Sequence, residues 1–389
     1  MDGDCRPSVV AAHALRSASV AADHPMAIPV LSDALGRDPL SLVLLYCSPK
    51  ADFRSLVSHA TVAFPEARVV ACTTAGEIDE TGYAEDRIVA IGLPKAGFDA
   101  RSILVKDLDK VDHRDLIGRL ILARSELGAS RLELPHEFAL VLIDGLSRQE
   151  DQLVGCLPPG LGPVPLFGGS AGDGARFENT LLAIDGTIHR HAAVLTLVRS
   201  LSPVRVFSHD HFAPTSVRMV VTRADPANRI VSQINAEPAA AEYARLVGKD
   251  PGQLSPFTFA AHPVVVRLGG RHHVRSIQQV TPSGDLVFFS AIDEGVVLTV
   301  AEPCDMASHL SSKLEELARP AQPDALLVCD CILRRIEAGE KQMTNRISRL
   351  LSEHRVTGFS TYGEQFGAMH VNQTMTGVAF YPPGTELSA

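Results

Sequence analysis

Three stretches of the chain end an apolar run in a small polar residue, a glycine and an acid: Thr74-Ala75-Gly76-Glu77, Ser170-Ala171-Gly172-Asp173 and Thr361-Tyr362-Gly363-Glu364. Residues of these types at strand ends can act in three ways. Glycine permits a positive φ or close backbone approach and the acid accepts bonds from exposed N–H groups, so each stretch can be a turn that the fold needs three times. If the strand ends gather, Thr74, Gly76, Glu77, Ser170, Gly172, Asp173, Tyr362, Gly363 and Glu364, with Asn372 beyond them, line a ligand cleft. Carboxylates brought together could also do acid–base work. Spacing leaves all three open.

Familiar catalytic patterns are missing. FGGSAGDG (167–174) is rich in glycine but lacks the Gly-Lys-Ser/Thr ending of a phosphate loop, and no helix pattern follows it. Ser170 is not in a G-x-S-x-G frame. The 15 histidines are scattered, with no H-x-x-x-H and no Cys/His zinc framework. His209 and His211 alternate and could ligate a metal from one strand face. His262 precedes Pro263 in an apolar setting, and His370 precedes the polar set Asn372, Gln373 and Thr374. If iron is bound, a macrocycle with one axial histidine suits these isolated residues better than a site made wholly of side chains. Cys329 and Cys331 alternate on a strand and read as small buried hydrophobes.

The elements that position these residues repeat. Strand, helix, strand and glycine-acid turn are expected over 41–48, 51–65 and 67–77, then over 137–147, 148–157 and 164–173, and again over 323–333, 341–354 and 356–364. The first helix carries Phe53, Leu56, Val57 and Ala60 on one stripe and is stopped by Pro65. A long-period repeat of one supersecondary unit outweighs any single motif. Residues 200–320 interrupt the scheme: Pro203 and Pro214 mark a domain boundary, a helix is expected over 235–248, and a hairpin turns at Ser283-Gly284-Asp285. The expected fold is mixed α+β, with two domains built from mixed sheets, flanking helices and internal strand–helix–strand repeats.

With 389 residues, 46% hydrophobic and 21% charged, the chain is long enough for two domains and is not disordered. A net charge of −9 gives no reason to expect nucleic acid or a membrane surface as partner. No segment reaches the roughly 18 apolar residues of a membrane span. Seven cysteines without a CxxC fit reduced thiols, so a cytoplasmic protein is expected.

Read in order, CTTAGEI, LIDGLS…GGSAGD, RIVSQINAEPAAAEYARLVG, CDCILRR and GFSTYGEQFGAMHVNQTMTG resemble the FIST family. After an N-terminal segment (1–34), the chain looks like an N-terminal FIST domain over about 35–200 and a C-terminal one over about 205–389. The YGEQ…MHVNQT form is similar to the stand-alone NosP group of haem-binding nitric oxide sensors. That resemblance implies a sensor rather than an enzyme, with haem b as cofactor, nitric oxide as ligand and a separately encoded histidine kinase as partner. It carries over no ligand assignment, so His262, His211 and His370 are the axial candidates, and Arg267 and Arg275 the candidates for pairing with propionates. The alternatives are a non-haem sensor of an amino-acid-like molecule and a hydrolase using paired carboxylates. A homo-oligomer is also open.

Overall fold

The computed structural model describes residues 15–268 and 270–387. The repeat is present three times, and each copy is longer than the sequence pattern indicates. The first unit runs β1 (Arg16–Ala21), α1 (Ala27–Leu35), β2 (Leu40–Cys47), α2 (Phe53–Ala63), β3 (Arg68–Thr73), the hairpin β4 (Glu77–Asp79) and β5 (Gly82–Ala84), and β6 (Arg87–Pro94). The second runs β7 (Phe98–Val105), α3 (His113–Ser130), β8 (His136–Ile143), α4 (Glu150–Cys156), α5 (Pro158–Leu161), β9 (Leu166–Ser170), the hairpin β10 (Leu182–Ile184) and β11 (Thr187–His189), and β12 (Ala193–Ser200).

The third unit opens with β13 (Val204–His209) and is then interrupted. The insertion comprises β14 (Phe212–Asp225), β15 (Ile230–Ile234), β16 (Glu237–Pro238), α6 (Ala239–Leu246), α7 (Pro256–Ala261), β17 (Val264–Leu268), β18 (Arg271–Arg275), β19 (Ile277–Val280), β20 (Leu286–Phe288) and β21 (Val297–Pro303). The unit resumes with α8 (Met306–Ala318), β22 (Ala325–Cys331), α9 (Ile332–Glu340), α10 (Thr344–Glu353), β23 (Val356–Thr361), the hairpin β24 (Glu364–Phe366) and β25 (Met369–Val371), and β26 (Met375–Phe380).

In every unit two consecutive long strands pair in parallel, β2 with β3, β8 with β9 and β22 with β23, across a helical crossover. The last strand pairs antiparallel with the first of these and carries the edge strand on its other side. Each hairpin then leaves its own unit. β4 pairs with β23 of the third sheet, β10 with β3 of the first, and β24 with β9 of the second. The glycine-acid turns are the points at which the chain crosses between sheets.

The inner faces of the three sheets share one core. It includes Leu44, Tyr46 and Val89 of the first unit, Phe138, Phe167 and Val198 of the second, and Leu327, Phe359 and Phe380 of the third. Tyr46 and Phe359 lie 4.3 Å apart across one junction, and Phe138 and Phe380 5.6 Å across another. The outer faces are covered by the units' own helices, with Phe53, Leu56, Val57 and Ala60 of α2 buried as the stripe predicts. Burial on both faces explains the unbroken apolar runs.

Four local expectations are corrected. The expected N-terminal segment (1–34) carries β1 and all of α1 but Leu35, which belong to the first unit. The strand expected over 323–333 stops at Cys331, because Ile332 opens α9, whose buried face includes Leu333, Arg334, Glu337 and Ala338. The stretch with Pro203 and Pro214 carries β13 and the start of β14. Pro214 is tolerated there beside a register shift against β21. His209 and His211 do not share a strand face, since β13 ends at His209. The insertion has an apolar cluster of its own, drawn wholly from residues 217–300 and including Met219, Val221, Tyr243, Phe259, Phe288 and Leu298.

Candidate functional site

The three turns meet. Gly172 N–H donates to Thr73 O (3.0 Å) and Gly174 N–H to Thr74 O (3.1 Å); Ala75 N–H donates to Ser360 O (2.9 Å), and Ser360 N–H to Gly76 O (2.7 Å). Ser170 N–H donates to Gly363 O (2.8 Å) and Tyr362 N–H to Ser170 O (3.3 Å), which closes a ring of backbone bonds through all three units. Glycine is required by this proximity. Gly76 has φ +128°, and a Cβ there would stand 2.5 Å from the Arg335 guanidinium, while one on Gly363 would stand 2.2 Å from His370 Cε1.

The acids serve the turns. Glu77 accepts from the Thr74 hydroxyl and from Arg87 N–H (3.0 Å), where β6 starts. Glu364 accepts from the Thr361 hydroxyl and, at the start of the last strand, from Thr374 N–H (3.2 Å) and Thr374 Oγ1 (2.9 Å). Burial pushes the Glu77 carboxyl up to about 7 and the Glu364 carboxyl up to about 8, against the opposing pull of these donors. In the second unit the duties are divided. Asp173 accepts from the N–H groups of Phe177 (2.8 Å), Glu178 (3.0 Å) and Asn179 (2.8 Å) and from the Tyr362 hydroxyl. Asp144 instead takes His191 N–H (2.6 Å) ahead of the last strand. Among the described residues no hydrogen bond or ion pair joins two of the three turn acids; each is engaged by donors of its own turn.

On one side of the node lies a cleft of about 610 Å³, lined by Gly76, Glu77 and Asp173, by Lys50 and Arg176, and by Ile332, Arg335 and Ile336 of α9. Arg335 is held across it by bonds to Glu77 O (3.1 Å) and Ala84 O (2.6 Å) and sits over the Tyr83 ring. Thr74, Ser170 and Gly172 do not line this cleft and belong to the backbone node behind it. Tyr362 stacks on Phe177 at 4.3 Å, and Gly363, Glu364 and Asn372 likewise lie outside the cleft lining. A groove of about 530 Å³ along 29–67 carries none of the candidate residues.

The three histidines have different surroundings. His211 is buried in a chain of ionic side chains: Lys341 to Glu337 (2.7 Å), Glu337 to His211 Nε2 (2.9 Å), His211 Nδ1 to Arg334 (3.0 Å), and Arg334 to Asp330 (2.7 Å). Arginine can only donate, so Nδ1 accepts and Nε2 carries the proton toward Glu337. His370 is equally enclosed, with Nδ1 3.2 Å from Gln365 Nε2 and Nε2 3.3 Å from Phe289 O. Neither ring has a nitrogen left for iron. His262 is half-buried at the end of α7, and its ring nitrogens have no hydrogen-bond partner among the described residues. Its backbone is fixed by Tyr243 Oη donating to His262 O (2.7 Å) and by His262 N–H donating to Thr258 O (3.0 Å). Burial lowers the pKa of all three, which favours the neutral imidazole. Of the three, His262 alone keeps a neutral, unengaged imidazole of the kind that ligates haem iron.

The two arginines also differ. Arg267 is exposed on β17, whereas Arg275 is buried and donates to His370 O (2.9 Å), with no carboxylate within ion-pair distance among the described residues. Among the described residues no group of three or more His, Cys, Asp or Glu could hold a metal ion. No described helix is long and apolar enough to cross a membrane.

Sequence reasoning missed the chain from Lys341 to Asp330, because it read 323–333 as strand and so did not place Arg334 and Glu337 on one helix face beside the end of β22. It also missed the buried pair Glu150–Arg229 (2.5 Å), which no local signal could reveal. The FIST N domain matches residues 41–237 and the FIST C domain residues 239–367, between them most of the chain. Among curated proteins none matches.

Proposed function

Because the chain belongs to the FIST family, whose domains are sensors in signal transduction, we propose that it is a stand-alone cytoplasmic sensor that binds haem b, detects nitric oxide and reports to a separately encoded histidine kinase. The observation that carries this reading is the His262 ring, the one candidate imidazole of the three without a polar partner. His262 would hold bound haem, which would supply an iron able to bind nitric oxide. The chain's part is to hold the imidazole neutral and to register any movement of it. Lowered basicity keeps a lone pair available at neutral pH, and the bonds from Tyr243 and to Thr258 tie the residue to α7.

From α7 the path is short. The helix packs on β19 and α9, and Gln373 Nε2 donates to Ala260 O (2.9 Å), so a shift of α7 reaches both the third-unit hairpin and the helix that borders the cleft. Arg267, being exposed, is the better placed of the two arginines to meet a propionate. The absorption spectrum of protein from haem-replete cells tests the reading. A Soret band that disappears in His262→Ala, while His211→Ala and His370→Ala keep it after refolding checks, is expected. No Soret band and no haem uptake by the apoprotein would end it.

A second reading, a non-haem sensor of a small amino-acid-like molecule, draws on the cleft of about 610 Å³ lined by Gly76, Glu77 and Asp173. A thermal-shift screen of the haem-free protein separates the two, since a ligand of the native state raises Tm. A shift that is lost in Arg335→Gln supports the cleft; no shift from any amino acid removes it.

A further inference from the structure

The insertion enters and leaves the third unit at one point. Cys304 N–H donates to His211 O (2.7 Å), and Phe212 then pairs with Pro303, so residues 212–303 hang from a two-stranded stem. The register of that stem shifts between Pro214 and Arg218, a bulge at which a ribbon bends. Above the bulge the insertion is self-sufficient in apolar contacts, since its cluster contains no residue outside 217–300. A single insertion side chain, Phe289, joins an apolar cluster of the three-unit body, where it sits 5.9 Å from Phe177.

The insertion's α7 also packs on α9 of the body, with Gln373 Nε2 donating to Ala260 O (2.9 Å), and further contacts are polar. Arg229 reaches Glu150 (2.5 Å) and Asp151 (3.7 Å), and Ala291 N–H donates to Asp151 (3.2 Å). Ser276 Oγ donates to Gln373 Oε1 (2.9 Å), and Arg275 donates to His370 O (2.9 Å). Three atoms of this seam, Arg229 Nε, Ser290 Oγ and Gln365 Oε1, are buried with no partner among the described residues. A buried polar group without a partner is costly, and opening the seam to water would restore its bonds. By contrast the three units are laced together by exchanged hairpins and by the ring of backbone bonds at the turns, and cannot separate without breaking sheets.

We infer that the moving part of this molecule is the insertion, residues 212–303, which swings as a lid about its stem and opens the polar seam while the three-unit body stays rigid. The boundary between the two family domains, at 237–239, falls inside the lid, at β16 and the start of α6, and is not a hinge. Polar interfaces within a chain are the ones that open, and sub-global opening costs less than unfolding. The inference does not depend on which ligand the protein senses.

Hydrogen–deuterium exchange on the full chain without ligand tests it. Peptides containing Ala291, and those covering 365–373, should exchange through an opening several-fold more populated than that of β22 in the body or β21 in the lid. Glu150→Gln should speed exchange at the seam and leave β21 and β22 unchanged. If that variant folds poorly, Ser276→Ala, which removes one hydroxyl, should give the same pattern. Seam peptides that exchange no faster than β21 and β22, or a variant that accelerates all of them alike, would overturn the inference.

Discussion

Glu77 and Glu364 occupy the same place in two of the three units: each accepts from the threonine three residues before it and from an N–H where its unit's last strand starts, that of Arg87 on β6 or of Thr374 just ahead of β26. Their roles are therefore structural and repeated. The Thr74 hydroxyl lies against both the Glu77 carboxyl and Cys47 O (3.2 Å), yet it has one hydrogen to give. Both contacts are satisfied when Glu77 is protonated and donates to the threonine oxygen.

This predicts a pH dependence of stability. The folded carboxyls titrate at about 7 and about 8, against an ordinary value of 4.5, so the folded chain holds protons that the unfolded chain releases. The stabilisation is fully present below pH 4.5 and is lost as pH rises through about 7 and then about 8, with a slope of about 1.4 kcal/mol per pH unit for each group within its window. Urea unfolding of Glu77→Gln and Glu364→Gln should show flatter profiles than the parent, with each variant gaining on it as pH rises from 5 to 8.5. Parallel profiles would show that the carboxyls titrate normally.

Gly363→Ala is expected to be among the most damaging conservative changes. The new methyl would fall 2.2 Å from His370 Cε1 and 2.8 Å from Nε2, and the ring is held on both sides by Gln365 and Phe289. A loss of about 2–4 kcal/mol is predicted, measured by denaturant midpoint. The same change at Gly174, which has φ +73° but open space around it, should cost about 1 kcal/mol.

Tyr362→Phe removes the hydroxyl that meets the Asp173 carboxylate and Gly174 O and accepts from Asp173 N–H (3.0 Å). The ring and its stacking on Phe177 remain. A cost of about 1–3 kcal/mol is expected, without change in the far-ultraviolet circular dichroism spectrum.

His211→Ala should destabilise by about 1–3 kcal/mol, because it leaves Glu337 Oε2 and an Arg334 N–H buried without their partner, while Lys341 and Asp330 still pair the two charges. His262→Ala has no such consequence, and a change within about 1 kcal/mol is expected. This separation makes the spectroscopic comparison of the histidine variants interpretable.

The local pieces were legible because each is written locally. The Phe53, Leu56, Val57 and Ala60 stripe gave α2, the Asp52 side chain caps it by accepting from Ser55 N–H (3.1 Å), and the turn at Ser283-Gly284-Asp285 lies between β19 and β20 as expected. What sequence periodicity cannot show is which partner a short strand chooses. Glu77–Asp79, Leu182–Ile184 and Glu364–Phe366 are only three residues each, and their pairing with another unit's sheet is settled by tertiary register. For the same reason the candidate residues fell into three groups that spacing could not separate: a cleft with Gly76, Glu77 and Asp173, a backbone node with Thr74, Ser170 and Gly172, and a buried set around Tyr362, Gly363 and Asn372. The histidines were visible as residues but not as environments. Only the fold shows that His211 and His370 are consumed by hydrogen bonds and His262 is not.

The most direct measurement is the visible absorption spectrum of the ferrous haem-reconstituted chain, with and without nitric oxide, beside that of His262→Ala. The account predicts a Soret band that shifts on adding nitric oxide in the parent and is absent from the variant. A parent protein that takes up no haem, or a His262→Ala variant with an unchanged band, would contradict it.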